Sequence, residues 1–232
     1  MRLLNSDIKL AKILSDYPVL VSVLERLNFR LGCGEDSLKE TAKKYGVRPE
    51  LLMLIFNLYI SPEYPSIKSH EPNQNDLNPL INFLQCSHAF YTNEIYPFLS
   101  LKIDELIELH KTNTFKMLEQ FYLEYKKEVD AHFEYEEKTV FPYIKTLQNP
   151  KTTSTNPQKF SVNIYQKHHS NINDKLNDIK LLLIAYLPEG DVNDTSLRRQ
   201  IITQLSFLDD DLKIHEKIEN YILIPIVKQL EP

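Results

Sequence analysis

The chain has 232 residues, 42% hydrophobic and 25% charged, enough for one large domain or a medium domain with a small appendage. Its formal net charge of −5 provides no whole-molecule field to draw it onto phosphate backbones, which disfavours general nucleic-acid binding. The two cysteines, Cys33 and Cys86, are too few for a disulfide framework or a thiolate metal cluster.

No apolar run approaches the roughly 20 residues of a membrane span, and the charged N-terminus lacks the apolar stretch of a signal peptide. The expected setting is therefore cytoplasmic and reducing. Four glycines are too few for a phosphate-cradling loop or an all-β fold rich in tight turns. Long polar–apolar segments predict an all-α protein.

Residues 1–60 read as a small helical N-terminal domain. A helix is expected from Asp16-Tyr17-Pro18 through Leu24, ending near Asn28. The loop Gly32-Cys33-Gly34 follows, and Ser37 through Glu40 have the spacing of a capping box. That helix should stop near Gly46, and Arg48-Pro49-Glu50 opens another through Leu51–Phe56. Residues 61–76 hold Pro62, Pro65 and Pro72 among polar residues and read as a linker.

Residues 77–232 contain four long helical segments, roughly 77–108, 114–148, 158–186 and 196–230, joined by short breaks. This pattern predicts an up-down-up-down four-helix bundle. Each segment carries an apolar stripe that includes a histidine. The first reads Ile81, Leu84, His88, Tyr91, Ile95, and the second Leu118, Phe121, Tyr125, Val129, His132, Glu136, Val140, Tyr143. The third reads Tyr165, His169, Ile172, Leu176, Ile179, Leu183, and the fourth Leu205, Leu208, Leu212, His215, Glu219, Ile222, Ile226.

Two segments repeat one pattern: His132 to Glu136 and His215 to Glu219 are each four apart, with Pro142 and Pro225 each ten after the histidine. Residues four apart share a helix face, so each imidazole and carboxylate can bind one metal or two bridged ones. Counted from the helix ends, the polar groups of all four segments fall roughly 17 Å from the same end of an antiparallel bundle. A buried layer of four imidazoles and two carboxylates without a metal would cost several kcal/mol. Nitrogen-rich, sulfur-free ligation with two carboxylates suits iron, manganese or zinc, and six ligands exceed one tetrahedral zinc, so two iron ions are expected. The candidate ligands are His88, His132, Glu136, His169, His215 and Glu219.

The other histidines fit less well. His168 lies off the seven-residue spacing that His169 keeps with Leu176 and Leu183. His110, at a helix end, and His70, in the linker, are expected to face solvent. Tyr91, Tyr135 and Tyr165 could approach the site, although core placement is the simpler reading, and Pro97, Pro142 and Pro225 are expected to bend their helices.

Ser87-His88-Ala89-Phe90-Tyr91, the two His-x-x-x-Glu segments ending in Phe141-Pro142 and Ile224-Pro225, and Lys167-His168-His169 resemble the hemerythrin-like HHE cation-binding domain over about residues 77–230. With the N-terminal unit around Phe29–Leu38, the whole chain is similar to the repair-of-iron-centres family. The resemblance implies a cytoplasmic di-iron protein of the nitrosative and oxidative stress response, with an oxo- or hydroxo-bridged pair of irons. It implies His88, His132, His169 and His215 as iron ligands and Glu136 and Glu219 as bridging carboxylates. Nitric oxide or dioxygen is then the small-molecule ligand, and damaged iron–sulfur proteins are the clients. One departure is plain: the family usually carries two adjacent cysteines in the N-terminal unit, whereas this chain has Cys33 alone.

Three functions compete. The first is iron–sulfur cluster repair or nitric oxide handling, and the second is a gas sensor or iron reservoir acting through a partner, which the missing dithiol favours. The third is DNA binding through residues 37–47, but the segment that would enter the major groove, Leu51–Leu58, is apolar and offers little to base edges. That apolar segment suggests a homodimer instead.

Overall fold

Two of the short N-terminal helices end where a residue turns left-handed. A computed structural model of the chain describes residues 4–61, 63, 71, 73–148 and 172–231. All of the longer elements there are helical, with one isolated bridge between Lys9 and Ser37. Contacts group the chain into two units, Met1–Ser87 with Ile214–Pro232, and His88–Lys213.

The first unit begins with α1 (Leu10–Asp16), α2 (Leu20–Arg26), α3 (Leu38–Lys44), α4 (Pro49–Ile60) and most of α5 (Leu77–Phe90). Helix α2 closes on Asn28, at φ 61°, with Phe29 N–H donating to Leu24 O at 2.9 Å. Helix α3 closes in the same way on Gly46, at φ 70°, with Val47 N–H donating to Ala42 O at 2.9 Å. Both are Schellman endings, which return orphan carbonyls to hydrogen bonding. The expected capping box is present: Glu40 N–H donates to Ser37 Oγ at 3.2 Å, and Ser37 N–H to Glu40 Oε2 at 2.8 Å.

Helix α4 contacts α2 and α3 and buries Leu51, Leu52, Leu54, Ile55, Phe56 and Leu58. The apolar surface that suggested a homodimer is therefore already covered within the chain. The buried Arg26 guanidinium lies 5.5 Å from the Tyr59 ring and 5.2 Å from that of Phe83, and donates to Ser87 Oγ at 3.3 Å. It thereby ties α2 to α5 one residue before His88. Of the proposed linker, 61, 63, 71 and 73–76 are described, with a single 3₁₀ turn at Gln74–Asp76.

The second unit holds α6 (Tyr96–His110), α7 (Asn113–Tyr135), α8 (Phe141–Gln148), α9 (Ile172–Leu181) and most of α10 (Val192–Ile218). Helix α7 contacts both α6 and α9. Its buried face is Phe115, Leu118, Tyr122, Tyr125, Val129 and Phe133. Phe121, placed on the stripe by heptad spacing, is instead 47% exposed, because the buried face follows Tyr122. The first unit resumes within α10 and ends with α11 (Ile224–Leu230).

Four helical runs among the described residues widen into a π turn, at Tyr91–Ile95, Glu136–Val140, Leu182–Tyr186 and Glu219–Leu223. Each turn begins six residues before a proline: Pro97, Pro142, Pro188 and Pro225. The residue preceding each proline, namely Tyr96, Phe141, Leu187 or Ile224, donates its N–H five residues back to the first carbonyl of the turn. Proline has no N–H to give and its ring clashes with the carbonyl four residues before it. One inserted residue makes room for the ring and rehouses the hydrogen bonding, so the prolines produce π turns.

Candidate metal site

In the second unit, Glu136 opens a π turn and is fully buried. Four residues earlier on the same face, His132 places Nε2 3.0 Å from Glu136 Oε1. His88, near the end of α5, places Nε2 3.0 Å from the other oxygen, Glu136 Oε2. One carboxylate thus meets two imidazoles, one on each oxygen. The His88 ring stacks on Phe133 and Phe141, with centroids 4.1 and 5.9 Å away, and its Nδ1 is 2.9 Å from Glu137 Oε1.

Burial by itself would push the Glu136 carboxyl up. Hydrogen bonds from His132 and His88, together with the attraction of their charges, outweigh that penalty and hold it well below the ordinary carboxylate value. A charged carboxylate is the form that ligates a cation.

In the first unit, the same spacing recurs. His215 places Nε2 3.1 Å from Glu219 Oε1, and the two residues are 3% and 0% exposed. Glu219 also opens a π turn, six residues before Pro225. The repeated pattern thus folds into the same local arrangement in both places.

These distances are those of ordinary hydrogen bonds and are equally compatible with ligation of a shared cation. Two donors at about 2.1 Å from one cation, at a right angle, are about 3.0 Å apart. The nitrogen–oxygen pairs at Glu136 and Glu219 have that separation, and a carboxylate with an imidazole on each oxygen suits a bridge between two cations. The donors are imidazole and carboxylate, the set that suits iron, manganese or zinc.

The structure brings together His88, His132 and Glu136 in one unit, and His215 and Glu219 in the other. His169, with His168, His70 and Tyr165, lies outside the described residues. Tyr91 is fully buried, stacks on Phe133 with centroids 5.8 Å apart, and donates its hydroxyl to the buried carboxylate of Asp211.

Two features escaped the sequence reading. Glu137 is the first; its only sequence signal was an acidic neighbour beside Glu136. The second is His110, expected at the solvent. It stacks on Phe115 at 3.9 Å and places Nε2 2.5 Å from Oδ1 of Asp194, which is 2% exposed. Arg198 reaches the same carboxylate, with Nε 2.7 Å from Oδ2 and Nη2 3.0 Å from Oδ1. A surface cavity of about 550 Å³ opens beside Asp194 and Arg198.

Among the described residues, no helix is long and apolar enough to cross a membrane. A scan against protein-family models finds no match, and no curated protein matches the chain.

Proposed function

We propose that the chain is a cytoplasmic non-haem di-iron protein of the nitrosative and oxidative stress response. In this reading residues 77–232 form a hemerythrin-like four-helix bundle and residues 1–60 a small helical domain. His88, His132, His169 and His215 ligate two iron ions, and Glu136 and Glu219 are the bridging carboxylates. The observation that carries the reading is Glu136, a fully buried carboxylate with an imidazole nitrogen 3.0 Å from each of its oxygens. The equal spacing at His215 and Glu219 supports it independently.

When bound, a pair of irons supplies one-electron chemistry and open positions for a diatomic ligand such as nitric oxide or dioxygen. The chain's own residues hold charge and position there. Glu136 and Glu219 offset the cationic charge from buried positions, while Phe133 and Phe141 fix the His88 ring plane and exclude water from its faces. Support of iron–sulfur cluster repair, with damaged cluster proteins as clients, is the function in which such chemistry would serve.

Metal analysis of protein purified without added metal tests the reading, followed by nitric oxide titration of the reduced form. About two iron ions per chain and a visible-spectrum response to nitric oxide are expected. His132→Ala and Glu219→Ala should each lower both, and full iron with a full response in either variant would overturn the reading. The single Cys33 favours a second reading, in which the same centre is a gas sensor or iron store acting through a partner. Reversible gas binding without turnover separates the two.

A further inference from the structure

We propose that Glu137 is a positioning residue for cation binding at Glu136, acting by holding the Nδ1 side of His88. The inference rests on the metal-binding reading above. An imidazole that ligates through Nε2 must present a lone pair there and carry its remaining proton on Nδ1. Which nitrogen carries the proton is set by the hydrogen bond made at the other one. At His88 that partner is Glu137 Oε1, 2.9 Å from Nδ1, while Nε2 points at Glu136 Oε2 from 3.0 Å.

The π turn explains how two adjacent residues reach the two nitrogens of one ring. In an α-helix, neighbours in sequence project about 100° apart. In the wider turn at Glu136–Val140 successive side chains diverge less, so Glu136 and Glu137 can both face His88. The Phe133 and Phe141 rings fix the plane of the imidazole, and Glu137 fixes which edge of it faces the carboxylate. Carboxylates behind ligating histidines raise ligand basicity and orient the ring.

In the other copy of the motif the position after the glutamate is an amide rather than a carboxylate. Glu219 is followed by Asn220, whose Nδ2 donates to Glu216 Oε1 at 3.4 Å.

The test uses the full chain, stripped of metal and titrated with cobalt(II) against a competing chelator. The same samples are followed by nitrogen–proton correlation spectra of the imidazoles. Glu137→Leu, which removes the acceptor, should weaken binding roughly 10–100-fold and abolish the Nδ1–H signature of His88 in the cobalt-free protein. Glu137→Gln keeps an acceptor oxygen and should retain that signature with a smaller loss of affinity. Glu134→Gln, a change to an exposed residue paired with Lys138, should match the parent chain.

If the parent chain takes up no cobalt, the metal-binding reading and this inference fall together. If it binds cobalt and both Glu137 variants bind equally well, this inference alone falls. Should Glu137→Leu not fold, Glu137→Gln decides: affinity and His88 signature both unchanged would refute the positioning role, and weakened affinity with the signature retained would support it.

Discussion

Two clusters of histidine on a buried carboxylate occur in the same unit, and they differ in the chemistry of the partner. At Asp194 the carboxylate faces His110 on one oxygen and the Arg198 guanidinium on both. Arg198 also donates to the carbonyls of Leu183, at 3.0 Å, and Pro188, at 2.5 Å. A guanidinium keeps its charge at any ordinary pH and has no lone pair to offer a cation. At Glu136 both partners are imidazoles. An imidazole can exchange a ring proton for a metal, so that cluster is convertible and the Asp194 cluster is closed. A histidine facing a buried carboxylate is thus a weak sign of ligation until the remaining partners are known.

Paired substitutions can break this comparison, and they carry the largest effects. Asp194→Ala should cost about 3–5 kcal/mol of stability, the usual price of leaving a buried charge uncompensated. Metal uptake per folded chain should be unchanged. Glu136→Ala should abolish metal uptake. Urea unfolding and metal titration of both variants read the two quantities, and loss of metal binding in Asp194→Ala would erase the distinction.

A smaller effect is expected at Gly190. A Cβ there would lie 2.2 Å from Asp194 Cγ, so Gly190→Ala must displace the carboxylate from His110 and Arg198. A loss of about 1–3 kcal/mol follows from such overpacking, again without a change in metal affinity. Thermal unfolding of the variant checks it.

The smallest effect is a pH dependence of the metal-free chain. The folded-state pKa of Glu136 lies below its ordinary value of 4.5, so its stabilising contribution is fully present above that pH. It is lost as pH falls toward the depressed folded-state value. Metal-free protein should therefore lose stability more steeply below pH 4.5 than the Glu136→Gln variant does, as read by melting at graded pH.

Much of the helical layout was legible in the sequence. The segments 77–108, 114–148 and 196–230 are helical apart from short interruptions, and the described part of the third segment is helical too. What the apolar periodicity missed is instructive. It placed Phe121 inside, whereas Tyr122 occupies the buried position between Leu118 and Tyr125 on α7. It placed His110 outside because periodicity reports a face and not the group that meets it. The partner of His110 stands 84 residues further along the chain. The prolines signalled a disturbance, but not that a π turn would bring Glu137 to His88.

Local geometry, set by backbone hydrogen bonds within one helix, needs no knowledge of neighbours. For that reason residue order alone determined that His132 meets Glu136 and that His215 meets Glu219, each within one helical turn. Side chains from different segments meet only where packing puts them. The second imidazole on Glu136, the carboxylate behind His88 and the arginine that closes the Asp194 cluster were therefore decided by the tertiary structure.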